Sequence, residues 1–326
     1  MQRRNLPGTD LQLSVVGLGA WAMGGLWWGD DVRDSDSQAA VLQALDLGVN
    51  WIDTAPLYGH GHADEVLVQA LGARKKDVII ATKVGVRWDG EGMHARSDLT
   101  AANLRQDVDA SLQRLGLDCI DLLQIHWPCE LDTPLQETMA TLEDLRREGK
   151  FRYLGLCNYP AARLKEAAAL AHLDSLQTPY SILRREFEAE LQQACAELPA
   201  GPGQAGTRPL GVLAYEPLCR GLLSGKFKAT AKFADSDLRA RDDRFQGTRF
   251  LRALTIVSRL QLVAKRLDEP VAALAIAWVL RQPGITAAIV GAKRAAQVQE
   301  NVRAAALLDR ELNWAEIDRI VGSYRG

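Results

Sequence analysis

WIDTAPLYGHGHADE, residues 51–65, sets an acid, Asp53, at the end of a short apolar run and a phenol, Tyr58, five residues on, beyond Pro56. Two other runs end in a similar way. VIIATKVG, residues 78–85, carries Lys83, and LLQIHWP, residues 122–128, carries His126. Short apolar runs rich in β-branched residues read as buried parallel strands. Neighbouring parallel strands share one rim at their carboxyl ends. An acid, a phenol, an amine and an imidazole then meet there. That set can protonate a carbonyl oxygen while a second agent delivers hydride.

Working outward, strands alternate with helices along the chain. Strands are expected at 15–19, 50–53, 78–82, 120–125, 152–156, 175–177, 210–214 and 287–290. Helical patterns lie between them. At 36–47, Ala40, Leu42, Ala44, Leu45 and Leu47 supply an apolar face; Leu104, Val108, Leu112 and Leu115 follow helical spacing. Residues 134–148 open with Thr-Pro and close with Glu-Gly, as helix ends do. Eight strand–helix pairs fit a closed α/β barrel, (β/α)8, over one domain, 1–326. The turn signals at 6–15 read as a small hairpin ahead of the barrel. A further helix is expected at 314–321. The Gly/Pro-rich stretch 198–209 precedes strand 7, on the amino-terminal side, where its role is structural.

Composition narrows the class. The chain has 326 residues, 47% of them apolar, and a net charge of −2 from 39 basic and 41 acidic side chains. Nothing there favours nucleic acid or an anionic membrane. The longest apolar run, Val271–Leu280, is too short to span a bilayer. MQRRNLPGTD has no apolar stretch behind it, so a secretion signal is not expected. Five cysteines, Cys119, Cys129, Cys157, Cys195 and Cys219, form no CxxC pair. That suits a reduced, cytoplasmic protein.

Three motifs are decoys. Gly17-Leu-Gly-Ala-Trp-Ala22 matches G-x-G-x-x-A, but the next residues, MGGLWWGDD, are too glycine-rich to begin the helix that a dinucleotide fingerprint requires. Arg220–Phe227 lacks both the first glycine and the terminal Ser/Thr of a P-loop. His60, His62 and Asp64 share one loop with no second cluster, so no metal site is expected.

Each residue of the polar set has a bland reading. Asp53 as a helix cap fails on the gap to the helix that includes 65–71. Lys83 alone is a surface lysine, but with Asp53 it makes a buried ion pair. Tyr58 alone is a loop tyrosine; beside Lys83 its phenol pKa is expected to fall from about 10. His126 alone is a buried, hydrogen-bonded histidine. Together, in type, order and strand placement, the four resemble the Asp-Tyr-Lys-His tetrad of the aldo-keto reductase superfamily, from about residue 5 to about residue 305.

The resemblance implies a (β/α)8 barrel that moves hydride from nicotinamide C4 to a carbonyl carbon. Tyr58 is then the general acid/base. Lys83 and His126 stabilise the oxyanion, and Asp53 holds Lys83. For the cofactor it implies Trp21, Asp53, Asn158 and Gln177 at the nicotinamide, with Tyr215 stacked on its face. Pro217, Leu218, Gly221 and Lys226 belong to a stretch that folds over the pyrophosphate. Gly291, Lys293, Arg294, Gln297, Glu300 and Asn301 take the adenosine end. Two cations at a helix start favour a 2′-phosphate, hence NADPH over NADH. Cys157 stands where the family has serine, a departure that bears on one hydrogen bond. Glu216 also replaces a common serine, and nothing in the sequence accounts for it.

Trp21, Trp27, Trp28, Trp88 and Trp127 crowd the same rim; Trp21, Trp28, Trp88 and Trp127 are expected to line a substrate pocket. The implied partner is a small carbonyl or alcohol, with the chain a monomer or weak homo-oligomer. The resemblance also admits a sugar or alcohol dehydrogenase, or a cofactor-sensing channel subunit of low turnover.

Overall fold

The computed structural model describes residues 1–89, 94–129 and 133–324. A hairpin, β1 (Arg3–Asn5) and β2 (Gln12–Ser14), precedes the barrel. The barrel strands are β3 (Val16–Gly19), β4 (Trp51–Asp53), β5 (Ile79–Val84), β8 (Ile120–Ile125), β9 (Phe151–Cys157), β10 (Ser175–Pro179), β13 (Gly211–Tyr215) and β14 (Ile285–Gly291). Two-stranded ribbons interrupt the repeat: β6 (Val86–Asp89) with β7 (His94–Ser97), and β11 (Leu198–Pro199) with β12 (Thr207–Arg208). All eight barrel strands pair in parallel in chain order, and β14 against β3 closes the circle. The chain therefore forms a (β/α)8 barrel with an amino-terminal hairpin.

The helices are α1 (Asp34–Asp46), α2 (His62–Leu71), α3 (Ala101–Leu115), α4 (Leu135–Arg147), α5 (Ala161–Ala168), α6 (Glu190–Ala196), α7 (Gly247–Leu267), α8 (Val271–Leu280), α9 (Ala295–Val302), α10 (Ala304–Leu307) and α11 (Trp314–Gly322). The apolar run at 271–280 becomes α8, buried at every residue. Between β13 and β14 the structure departs from one helix per strand. A long connection, 216–246, leads into α7 before α8 begins. α11 packs on α7, and its Asp318 accepts a hydrogen bond from Trp278 Nε1 at 2.9 Å.

Most strand ends shift by one or two residues from expectation, and two departures have clear physical reasons. The hairpin strands flank the Pro7–Asp10 turn and begin at Arg3, too short and too polar to show a period-2 pattern. β5 runs through Lys83 to Val84, because Lys83 still pairs in register with Gln124. The stretch 198–209 is the β11–β12 ribbon, set ahead of β13 as expected, where Arg208 donates to Leu173 O.

The barrel's lower interior is apolar and buried. Leu6, Leu11 and Leu13 of the hairpin region pack with Trp51, Leu122, Leu213 and Ala287, so the hairpin plugs that mouth. Trp51 turns its Nε1–H to Ser14 O at 2.8 Å and lays its indole over Gly17. A Cβ at Gly17 would sit 2.2 Å from that ring. The first glycine of the apparent dinucleotide fingerprint thus makes room for a tryptophan. Gly17→Ala is expected to lower stability by about 1–3 kcal/mol through overpacking. Urea denaturation monitored by fluorescence measures it, and an unchanged midpoint contradicts this packing.

Candidate active site

Asp53 closes β4 in register with Gly19 and Ala81. Lys83 lies two residues further along β5. The stagger brings Lys83 Nζ to 2.6 Å from Asp53 Oδ1, with side chains 0% and 3% exposed. Lys83 Nζ also donates to Thr54 O and to Tyr58 Oη, each at 3.0 Å. All three ammonium protons are used. Asp53 Oδ2 accepts from Gln177 Nε2 at 2.8 Å and from Gln124 Nε2 at 3.2 Å. Sequence reasoning missed Gln124. It lies inside the apolar run that ends at His126, where a buried amide signals a polar partner on a neighbouring strand.

Tyr58 is fixed from below and above. The turn Trp21–Gly24 packs so tightly on its loop that a Cβ at Gly24 would lie 2.6 Å from the Tyr58 carbonyl carbon. Trp21 stacks on the phenol ring at 6.3 Å, and His126 meets it edge-on at 5.9 Å. Asp64 ties the loop to the barrel, accepting from Thr54 Oγ1 at 2.6 Å and Arg114 Nε at 2.8 Å. His60 instead stacks on Trp88, and His62 bonds Asp34.

The electrostatics correct one expectation. Burial raises the Tyr58 phenol above its ordinary value, and Lys83 offsets only part of that rise. Burial outweighs the pull of the Lys83 ammonium, and the Asp53 carboxylate that pairs with Lys83 adds to the rise. Tyr58 is therefore a protonated phenol rather than a softened phenolate. Burial opposes the Lys83 ammonium, but Asp53 and then Tyr58 outweigh it, and its pKa rises. Burial, then Lys83, holds His126 well below the usual imidazole range, so the ring is neutral. Burial pushes the Cys157 thiol up to about 12.

A cavity of 720 Å³ opens above these residues. Trp21, Asp53, Tyr58, His126, Asn158, Gln177, Tyr215, Pro217, Leu218, Gly221, Lys226, Gly291, Lys293, Gln297, Glu300 and Asn301 line it, as do Trp27, Trp28 and Trp127. Lys83 lies beneath, reaching the cavity through Tyr58. Two expected residues stand outside the lining. Trp88 belongs to the β6–β7 ribbon and stacks on His60 at 5.1 Å. Arg294 is half exposed and turned to Asp31 and Asp36. Asn158, at φ 63°, donates to His126 O at 3.1 Å and accepts from Tyr215 Oη at 2.8 Å. Gln297 caps α9, its Oε1 accepting from the backbone N–H of Lys293 and of Arg294.

Glu216 now has an account. Its carboxylate accepts from Arg220 Nε at 2.7 Å and Arg244 Nη1 at 3.0 Å, and Asp242 holds the far side of both arginines. This four-membered network pins the connection after β13. Arg220 in turn covers the Trp21 ring at 5.4 Å.

The Aldo/keto reductase family model matches residues 15–322. The chain belongs to the aldo/keto reductase family. It is 35% identical to Aldo-keto reductase YhdN of Bacillus subtilis (strain 168), over 92% of this chain and 87% of that protein. It is 34% identical to the NADH-specific methylglyoxal reductase of Escherichia coli (strain K12), over 93% of each. The structure of the glycerol dehydrogenase AKR11B4 from Gluconobacter oxydans superposes with a TM-score of 0.85 at 34% identity, covering 98% of this chain and 95% of that one. This member of the family is an NAD(P)H-dependent oxidoreductase. Among the described residues, no helix is long and apolar enough to cross a membrane.

The neutral His126 links pH to stability. Its pKa is depressed in the fold, so below about pH 6.5 the unfolded chain binds a proton that the folded one does not. That contribution is complete above the unfolded pKa and is lost as pH falls. Between pH 7.5 and 5.5, His126→Gln is expected to lose about 1 kcal/mol less stability than the native chain. Urea midpoints at the two pH values check this, and equal losses contradict it.

Proposed function

We propose that this enzyme reduces small aldehydes and ketones to alcohols with NADPH, accepting NADH more weakly, and that Tyr58 donates the proton. The observation that carries this is the bond from Lys83 Nζ to Tyr58 Oη. It occupies the phenol oxygen as acceptor and leaves the phenol's own hydrogen free for a substrate oxygen.

The residues fit a nicotinamide dinucleotide. The amides of Asn158 and Gln177 and the Tyr215 ring lie at one part of the cavity, and the cations Lys226, Arg239 and Lys293 at another. Trp28 Nε1 is a buried donor with no protein partner in that wall. Lys226 shows no carboxylate partner among the described residues, and burial lowers its pKa, as for a cation that awaits an anion. The bound dinucleotide supplies the hydride. Asn158 and Gln177 orient the carboxamide end, and Tyr215 packs beneath it. Lys226 serves the diphosphate, and Lys293 and Arg294 the 2′-phosphate.

At the reacting oxygen, Tyr58 Oη donates and Lys83 stabilises the negative charge left on the phenol. A neutral His126 contributes a hydrogen bond, not a charge. Lys83 keeps its own proton throughout, since Asp53 holds it charged, and the phenolate of Tyr58 regains its proton from solvent that enters the cavity. Trp21, Trp27, Trp28 and Trp127 exclude water and favour carbonyls with an apolar flank. The raised phenol pKa favours reduction over alcohol oxidation near neutral pH, because oxidation needs the deprotonated phenol.

Tyr58→Phe is expected to lower kcat for methylglyoxal or 4-nitrobenzaldehyde by at least about 10²-fold, the usual share of a general acid. NADPH binding, read by tryptophan fluorescence, stays close to native. Turnover within about threefold of native contradicts the assignment. In the native enzyme the oxidative rate rises with pH into the alkaline range, whereas the reductive rate is nearly flat from about pH 6 to about pH 8.

A further inference from the structure

Resting on the cofactor reading above, we infer that Asp31 governs the choice between NADPH and NADH, by holding Lys293 and Arg294 in ion pairs that a 2′-phosphate must break. Asp31 lies in the loop between the Trp21–Gly24 turn and α1. Its Oδ1 is 2.6 Å from Lys293 Nζ, and its Oδ2 is 3.2 Å from Arg294 Nη2. Arg294 Nε faces a second carboxylate, Asp36, at 3.6 Å. Lys293 Nζ also donates to Trp28 O at 3.2 Å. Two cations thus meet two carboxylates, and the group carries no net charge toward an arriving anion.

The contrast with Lys226 gives the arrangement its meaning. Lys226 lines the same cavity and shows no carboxylate partner among the described residues. An anion common to both dinucleotides meets an open cation there. The additional phosphate of NADPH meets cations already engaged. It gains charge-assisted bonds only by replacing those of Asp31. The net preference is a difference between two ion-pair sets, and specificity of this kind is set as much by the competitor as by the attractor.

Asp31 is exposed enough to yield. Its side chain is 57% exposed, so its release to water costs little desolvation. The loop keeps its place by other bonds: Leu238 N–H donates to Trp27 O at 2.9 Å, and Trp28 pairs with Asp237. Removing the Asp31 charge therefore leaves the wall of the cavity standing. Asn at this position preserves size and an acceptor oxygen while removing the charge.

The test titrates full-length protein with NADPH and with NADH, following tryptophan fluorescence. The variants are Asp31→Asn, the double variant Lys293→Ala/Arg294→Ala, and the triple combination. Asp31→Asn is expected to tighten NADPH by about tenfold, the effect of one charge-assisted contact, and to move NADH by less than about twofold. The double variant is expected to lose NADPH selectivity, and Asp31→Asn to add nothing in that background. An unchanged NADPH affinity in Asp31→Asn, with selectivity lost in the double variant, overturns the inference and leaves the cation assignment intact. Equal weakening of both dinucleotides by Asp31→Asn also overturns it, and makes Asp31 a clasp for the loop. Unchanged selectivity in the double variant overturns the inference together with the 2′-phosphate assignment.

Discussion

A charged pair sealed inside the barrel mouth constrains everything above it. Asp53 and Lys83 sit on adjacent strands with almost no exposure. Either charge alone would cost several kcal/mol there. The surroundings answer each bond: Thr54 and Tyr58 take the remaining ammonium protons, and Gln124 and Gln177 satisfy the second carboxylate oxygen. This satisfaction orders five side chains from four strands and one loop. A phenol oxygen that accepts from a fixed ammonium has few places to point its own proton. The direction of the phenol's own proton thus follows from the requirement that a buried lysine be fully hydrogen-bonded.

Above that layer the fold uses loops, and it fixes them with charge. The connection after β13 holds Glu216, Cys219 and Arg220 at positive φ, a conformation that costs non-glycine residues of order 1 kcal/mol each. The Glu216–Arg220–Asp242–Arg244 network supports that cost at a partly buried site. The loop after β3 is clasped from two sides, by residues 237–238 and by Lys293. The loop after β3 carries Trp21, Trp27 and Trp28, and the connection after β13 lays Arg220 over Trp21, so pocket shape depends on ion pairs outside the buried Asp53–Lys83 pair.

Much of this was legible in the sequence because strand ends and polar residues coincide. The 120–125 run became β8 without change, and Asp53, Tyr58, Lys83 and His126 do converge. What escaped had physical reasons. Gln124 is hidden in an apolar run, and only its strand neighbours reveal a carboxylate to serve. Glu216 needed Arg244 from 28 residues away. Trp88 follows β5, as expected, but it sits on a ribbon that period-2 reading of 86–97 does not show. The sign of the Tyr58 shift was missed because a neighbouring cation was weighed without burial, the larger effect, and without the carboxylate that matches it. Asp31 lies in a polar run that reads as plain loop.

A double-mutant cycle on the buried pair tests the account most directly. Asp53→Asn and Lys83→Met are made singly and together, and each protein is measured by urea denaturation and by single-turnover reduction. The account predicts that each single variant loses about 3–5 kcal/mol, since it leaves one buried charge uncompensated. The double variant loses no more than either single one, a coupling of about 3 kcal/mol or more, yet its turnover stays as low as that of Lys83→Met. Stability losses that simply add, or a double variant that turns over at the native rate, would contradict it.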